Sequence, residues 1–500
     1  MISNQNGAFK TEEGGEPAMI EIEKYHFGSI IDGKELPKDG RDEIEVLNPY
    51  NNEVIGKISC ATAEDAADAV ASAHRVYTKT MKKMPAHKRS EILRKTADLL
   101  EVEADEFAHL LSLEAGKPIK ESRVEVARAV QVLRFASEGA KSIYGEMIPL
   151  DSAIGGENQI GMSKRVSLGV VAAITPFNFP LNLVLHKIAP AIAAGNTVVL
   201  KPAEKTPLSP VLLYRLFEKA GLPKGVINIV MGPGQELAET LVTHPKVKRV
   251  TFTGSSAVGW KIHEMAKRKK VTLELGSNAP NIIFEDADLD VAVNAIVIGG
   301  FTYAGQACVS AQRIYVQEAV YQPFLEKLTM KVKALQTGDP LDESTDMGPM
   351  ITKEAAERAE LWVTEAVEQG ATLSAGGKRQ GTLMEPTIVS DVTPDMKVVC
   401  AEVFAPIVSV MPFTTEEEAV DHANDSDFGL QAAVFTADIN RAMRMADALD
   451  TGGVWINEVS VRRYDHIPYG GVKNSGTGKE GVKYAIEEMT DVKFIGIKLY

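Results

Sequence analysis

From about residue 166 the chain alternates between unbroken apolar runs and helix-like stretches, and this alternation limits its fold more than any other feature. Residues 169–174, 197–200, 226–230 and 250–253 are apolar or β-branched almost throughout, with no polar residue at every second position. A strand without a polar face has both faces covered, which implies a parallel sheet between two layers of helix. A second alternating block starts near Asn281 and ends around 454–457, with further strands expected at 313–316 and 407–411. Ahead of both blocks, residues 25–58 read as β-like, and three helical stretches follow at 62–80, 86–115 and 119–142. Thr62, placed before Ala63-Glu64-Asp65, has the form of an N-cap with acidic first-turn residues. The fold class expected is α/β, with two doubly wound Rossmann-like domains. The last segment, 490–500, reads as a strand with no partner nearby in sequence, which makes it an edge or an interface element.

At 500 residues, with 45% hydrophobic and 24% charged, the chain is long enough for two or three buried cores. The net charge of −14 argues against nucleic acid and anionic membrane as partners. Three cysteines (Cys60, Cys308 and Cys400) form neither a disulfide framework nor a metal-ligand spacing. A reducing, cytoplasmic location and no metal are therefore expected. Residues 1–24 are expected to be a disordered lead-in. The first twenty are polar and acidic, and neither a signal peptide nor a membrane span is expected.

Cys308 lies in the small-residue run Gly305-Gln306-Ala307-Cys308, about 34 residues after Glu274 in Leu273-Glu274-Leu275-Gly276. A thiolate presented by such a loop, with a carboxylate able to handle a water, suits acyl chemistry in two steps: thiol attack, then water attack. The literal GxGxxG at Gly476-Thr477-Gly478-Lys479-Glu480-Gly481 is a decoy, because polar Lys473-Asn474-Ser475 precedes it where the dinucleotide fingerprint needs a strand. A distributed nucleotide site reads better. One strand ends in Lys201-Pro202-Ala203-Glu204, whose side chains could bond ribose hydroxyls. Another ends in Thr253-Gly254-Ser255, whose N–H groups and hydroxyl could meet a phosphate at a helix start.

Seven motifs in order then define a resemblance. These are Thr175-Pro176-Phe177-Asn178-Phe179-Pro180, Lys201-Pro202-Ala203-Glu204, Phe252-Thr253-Gly254-Ser255, Leu273-Glu274-Leu275-Gly276, Gly305-Gln306-Ala307-Cys308, Glu402-Val403-Phe404-Ala405-Pro406 and Pro468-Tyr469-Gly470-Gly471. Over residues 25–500 the chain resembles the NAD(P)-dependent aldehyde dehydrogenase superfamily. The resemblance implies a non-acylating enzyme in which Cys308 attacks the aldehyde, Asn178 and the Cys308 N–H hold the oxyanion, and Glu274 activates the water that hydrolyses the thioester. It implies cofactor contacts from Ile174, Thr175, Pro176, Phe177, Lys201, Glu204, Gly254, Ser255, Glu402 and Phe404, and a proton-relaying carboxylate at Glu480. Departures from the family pattern are mild. Ser277-Asn278-Ala279-Pro280 stands where Gly-Lys-Ser-Pro is common, Phe177 replaces a frequent Trp and Ala405 a common Gly.

Glu204 beside the adenosine ribose favours NAD, since a carboxylate accepts from a 2′-hydroxyl and repels a 2′-phosphate; Lys201 leaves NADP possible. The substrate is read from Arg128, His186, Arg462, Arg463 and His466. Arg128 shares a helical stripe with Val124 and Val132; facing inward it would favour an anionic tail, while paired with Glu125 it would be a solvated surface residue. Ala307, where phosphate-binding members often carry an arginine, weakens a phosphate reading. A short polar or anionic aldehyde is expected, as in the lactaldehyde, non-phosphorylating glyceraldehyde-3-phosphate and semialdehyde branches. The alternatives are a CoA-acylating semialdehyde dehydrogenase, which would not need Glu274, and a non-catalytic NAD-binding protein.

The domain plan implied assigns 25–143 and 165–275 to cofactor binding, 276–485 to catalysis, and 144–164 with 486–500 to an oligomerisation element. The last would make a homodimer or homotetramer.

Overall fold

The computed structural model describes residues 25–500; the expected lead-in lies outside the described residues. The first sheet has eight strands. Its parallel centre runs Lys270–Glu274, Val247–Thr253, Val170–Ile174, Thr197–Lys201, Ile227–Ile229 in spatial order. Val170–Ile174 and Thr197–Lys201 are wholly buried, as their unbroken apolar text requires. The chain starts at Val170–Ile174, moves outward on one side, then returns to lay Val247–Thr253 on the other. Ile174 pairs with Phe252 at that reversal, so a crevice opens just past the carboxyl ends of these two strands.

The second sheet has seven strands, in the order Thr372–Ala375, Thr387–Ser390, Ile407–Phe413, Arg313–Gln317, Pro280–Ile283, Gln431–Phe435, Gly453–Ile456. All but the first are parallel to their neighbours. A third, antiparallel ribbon joins Thr490–Lys498 to Gln159–Ser167 over nine residue pairs, with Met147–Ile148 beyond. The last strand thus finds its partner more than 300 residues upstream. It leaves Val492, Phe494 and Ile497 exposed.

Local chemistry explains the helices. The Thr62 hydroxyl accepts from the Asp65 N–H at 3.2 Å while the Asp65 carboxylate accepts from the Thr62 N–H at 2.8 Å, a reciprocal cap on Ala63–Lys79. The stretch 86–115, expected as one helix, is two: Ala86–Val102 and Ala104–Ala115 meet at Glu103 (φ −94°, ψ 18°). No Gly or Pro marks this joint; the change of direction buries Phe107, Leu110 and Leu111. At the start of Asn182–Ala193, Glu125 accepts from the N–H groups of Leu181 and Asn182, both at 3.1 Å, and pairs with buried Lys117.

Two expected boundaries, at 164 and 485, cut through elements of the fold. Gly476–Thr477 edges the first sheet beside Leu273–Glu274, and Val482–Glu488 sends Val482 and Ile486 into the first unit's core. Residues 476–485 therefore pack with the cofactor unit, although they follow the second sheet in sequence. The cut placed at 164 would divide the strand Gln159–Ser167. The glycines of the decoy motif serve this edge: Gly476 has φ +137°, and a Cβ there would lie 2.0 Å from the Leu273 carbonyl oxygen.

Candidate active site

Cys308 sits in the loop between the helix Leu289–Phe301 and the strand Arg313–Gln317. Three consecutive residues of that loop are left-handed: Tyr303 (φ 49°), Ala304 (φ 52°) and Gly305 (φ 67°). A tyrosine in this region persists only where its surroundings hold it. Here the Tyr303 hydroxyl donates to the Ala115 carbonyl at 2.7 Å and its N–H to Glu121 at 3.3 Å. A Cβ on Gly305 would fall 2.1 Å from the Ala405 carbonyl oxygen, so the tight turn requires glycine. The next residue, Gln306, is buried. Its carbonyl accepts from Asn178 Nδ2 at 2.9 Å and its side-chain oxygen from the Ile351 N–H at 2.9 Å.

The side chains read as catalytic come together on this frame. Cys308 Sγ is 3.1 Å from the hydroxyl of Tyr469. Burial pushes the thiol up to about 11, against the Tyr469 hydrogen bond and the charge of Arg463; the charges of Glu402 and Glu274 add to the rise. Glu274 is buried, and neither of its carboxylate oxygens has a hydrogen-bond partner among the described residues. Burial, then the charge of Glu480, raises its pKa well above the usual carboxylate range. The Asn178 side-chain oxygen is likewise buried without a partner, and Nδ2 keeps one hydrogen beyond its bond to Gln306.

Most of the residues read as cofactor contacts follow the carboxyl ends of first-sheet strands, while Glu402 and Phe404 come from the segment before Ile407–Phe413. Thr175 follows Ile174, and its hydroxyl is buried without a partner, as is that of Thr253. Ser255 begins the helix Ser256–Ala266 with no side-chain cap, leaving its first N–H groups open beside Gly254. Lys201 donates to Glu204 at 3.1 Å at the end of the adjacent strand. Pro176 and Phe177 are partly buried, and the Phe177 ring meets Phe404 edge to face at 6.0 Å. Glu402 accepts from the Ser277 N–H at 3.1 Å, and burial raises it to about 7. Unpaired hydroxyls and an open helix start suit a dinucleotide.

The residues read as substrate contacts separate into three groups. Arg128 does not pair with Glu125, which is committed to Lys117; it reaches Asp465 instead, through Nε at 3.2 Å and Nη2 at 2.8 Å. His186, fully buried, meets the same carboxylate at 2.9 Å, and burial, then the charge of Arg463, lowers its pKa against the pull of Asp465. Arg463 is buried against Glu480 at 3.0 Å and lies over the Tyr469 ring. Arg462 and His466 are exposed: Arg462 donates to the Tyr464 hydroxyl at 3.1 Å, and the His466 ring packs 5.1 Å from Phe135. The sequence reading missed the part of Asp465 and the contact of Tyr469 with the thiol. Only the Pro468-Tyr469-Gly470-Gly471 motif pointed towards the latter. Among the described residues no cluster of three or more His, Cys, Asp or Glu could hold a metal, and no helix is long and apolar enough to cross a membrane.

Known proteins resemble this chain over most of its described length. A sequence model of the aldehyde dehydrogenase family matches residues 36–495. The 3-sulfolactaldehyde dehydrogenase of Priestia aryabhattai is 49% identical over 458 residues, covering 92% of this chain and 95% of that protein. Among solved structures, aldehyde dehydrogenase 21 from Physcomitrella patens, in complex with the reaction product succinate, superposes with a TM-score of 0.92 at 39% identity, covering 95% of this chain and 98% of that one. The glyceraldehyde-3-phosphate dehydrogenase of Methanocaldococcus jannaschii, complexed with NADP, gives 0.88 at 43% identity, covering 92% and 100%. The chain belongs to the aldehyde dehydrogenase family. It is an NAD(P)-dependent enzyme that oxidises an aldehyde to the carboxylic acid.

Proposed function

We propose that the enzyme oxidises a short polar or anionic aldehyde, prefers NAD, and releases the acid by hydrolysis. The buried Glu274 carboxylate, with both oxygens unpartnered near the nucleophile, carries this reading: it is an acceptor placed for a water. Cys308 Sγ adds to the aldehyde carbonyl, and the oxyanion takes the free hydrogen of Asn178 Nδ2 and the Cys308 N–H. The Lys201–Glu204 pair, the open helix start at Ser255 and Glu402 would hold a dinucleotide, which would accept the hydride that leaves the thiohemiacetal carbon. The thioester left on Cys308 is attacked by water as Glu274 takes its proton. The acid leaves and the thiol is restored. A raised pKa makes Glu274 a stronger base but a scarcer one at neutral pH.

Charge supports the substrate class. Arg463, whose charge acts on Cys308, pairs with Glu480, while Arg128 and His186 meet Asp465. Arg128 reaches that carboxylate through Nε and Nη2, which leaves Nη1 without a partner among the described residues. A sulfonate, carboxylate or hydroxyl tail suits that free donor, in keeping with the sulfolactaldehyde named for one relative and the succinate bound to another. The terminal ribbon, with its exposed apolar side chains, suits a second copy of the chain, giving a homodimer or homotetramer.

The test is NADH formation without CoA from propanal, lactaldehyde, succinate semialdehyde and glyceraldehyde-3-phosphate. A kcat/KM at least tenfold higher for an anionic or hydroxylated member than for propanal is expected. Preference for propanal would refute the substrate class, and turnover only with CoA would refute hydrolysis.

A further inference from the structure

A chain of contacts behind the nucleophile has no part in the reaction as described so far. The Tyr469 hydroxyl touches Cys308 Sγ at 3.1 Å. The Arg463 guanidinium lies 3.7 Å above the centre of the Tyr469 ring. Arg463 is held in turn by Glu480 at 3.0 Å, and Glu480 by Lys187 at 2.8 Å. The backbones of Tyr469 and Glu480 are joined both ways, N–H to carbonyl at 3.1 and 2.6 Å. Tyr469, Arg463, Lys187 and Glu480 are all largely buried, so the ring and the cation above it have little room to move.

We propose that Tyr469 is a catalytic residue, whose hydroxyl, polarised by Arg463 stacked on its ring, donates to Cys308 Sγ and stabilises the attacking thiolate. The inference rests on Cys308 being the nucleophile. While the sulfur is a thiol, either group can donate across the contact. Once the thiol has lost its proton to water only Tyr469 can, and the bond becomes charge-assisted and stronger. Tyr469 keeps its own proton, because burial and the neighbouring thiol raise its pKa well above that of a free phenol. A cation over the ring face draws electron density from the phenol and makes its O–H a better donor. The arrangement counters a specific problem. The thiolate is disfavoured by burial and by the nearby charges of Glu274 and Glu402, and Tyr469 with Arg463 supplies the opposing influence.

Tyr469→Phe removes one oxygen and keeps the ring under Arg463. The readout is the rate of iodoacetamide labelling of the Cys308 peptide against pH, measured by mass spectrometry on the full-length enzyme so that Cys60 and Cys400 do not contribute. The rising limb is expected to move to higher pH, with labelling at neutral pH falling about three- to tenfold. kcat/KM for the aldehyde should fall in step, and the KM for the dinucleotide should stay unchanged. A labelling profile that overlays the wild type, or moves to lower pH, would overturn the proposal. If Tyr469→Phe does not fold, Arg463→Lys, which retains the charge but not the planar stack, must shift the limb the same way or the proposal fails. Labelling reads the thiol alone. A shift in labelling with no change in turnover would instead count against Cys308 as the nucleophile, and so against the reaction sequence itself.

Discussion

Arg128 and Asp465, 337 residues apart in the chain, form a two-point ion pair, and the same carboxylate also receives Asn182 and His186. One buried acid thus anchors a helix of the first unit to the loop that runs from the second sheet towards Tyr469. Replacing Asp465 by Ala leaves Arg128 and Asn182 without their acceptor. The expected loss is about 3–5 kcal/mol of stability, visible as a lower denaturant midpoint. Arg128→Ala should cost less, because Asn182 and His186 still face the carboxylate. It should raise KM for an anionic aldehyde while sparing propanal. Equal losses on both substrates would give Arg128 a purely structural part.

Glu274→Gln separates the two halves of the reaction. A rapid-mixing experiment should show a burst of about one NADH per active site, followed by steady turnover slowed by ~10²–10⁴-fold. Loss of the burst would place Glu274 in thiol attack instead. Because burial raises its pKa, only the ionised fraction can accept a proton from water. Wild-type kcat should therefore keep climbing with pH beyond the range in which an ordinary carboxylate is already ionised, and the Gln variant should lose that limb.

On the proposed reading, cofactor choice turns on the Lys201–Glu204 pair. Glu204→Thr removes the carboxylate that repels a 2′-phosphate and frees Lys201 to meet it. The ratio of kcat/KM for NADP over NAD should rise by at least about tenfold, ~1.4 kcal/mol. A wild-type enzyme already tenfold better with NADP would contradict the reading.

Removing residues 490–500 uncovers the length of Gln159–Ser167 and deletes the exposed Phe494 and Ile497. Light scattering should show the oligomer falling to a smaller species or aggregating through the open edge. An unchanged mass would place the subunit interface elsewhere.

What could be read from sequence follows the range of the interactions. Val170–Ile174 and Thr197–Lys201 were legible because a fully buried strand writes itself as an unbroken apolar run. Thr62 was legible because its cap is closed three residues away. The joint at Glu103 was not, since apolar periodicity continues on both sides and no breaker marks it. Arg128 shows the limit most clearly. The nearest carboxylate in the helix, Glu125, was the natural candidate, yet it serves Lys117 and the start of another helix, while the actual partner lies near the C-terminus. The place of residues 476–488 was hidden for a similar reason. Nothing local in Gly476–Thr477 says that it will edge a strand laid down 200 residues earlier.

The loop carrying Cys308 is fastened on both sides. Tyr303 is tied to Ala115 and Glu121, Gln306 to Asn178 on one flank and to Ile351 on the other. The setting of Cys308, the proposed nucleophile, is therefore a property of the closed seam between the two units and not of the polypeptide that encodes it. Cutting the gene near Gly276 would give a second fragment that contains Cys308 yet lacks three of these four ties, those to Ala115, Glu121 and Asn178. Such a fragment should label like an ordinary surface thiol until the first fragment is added back.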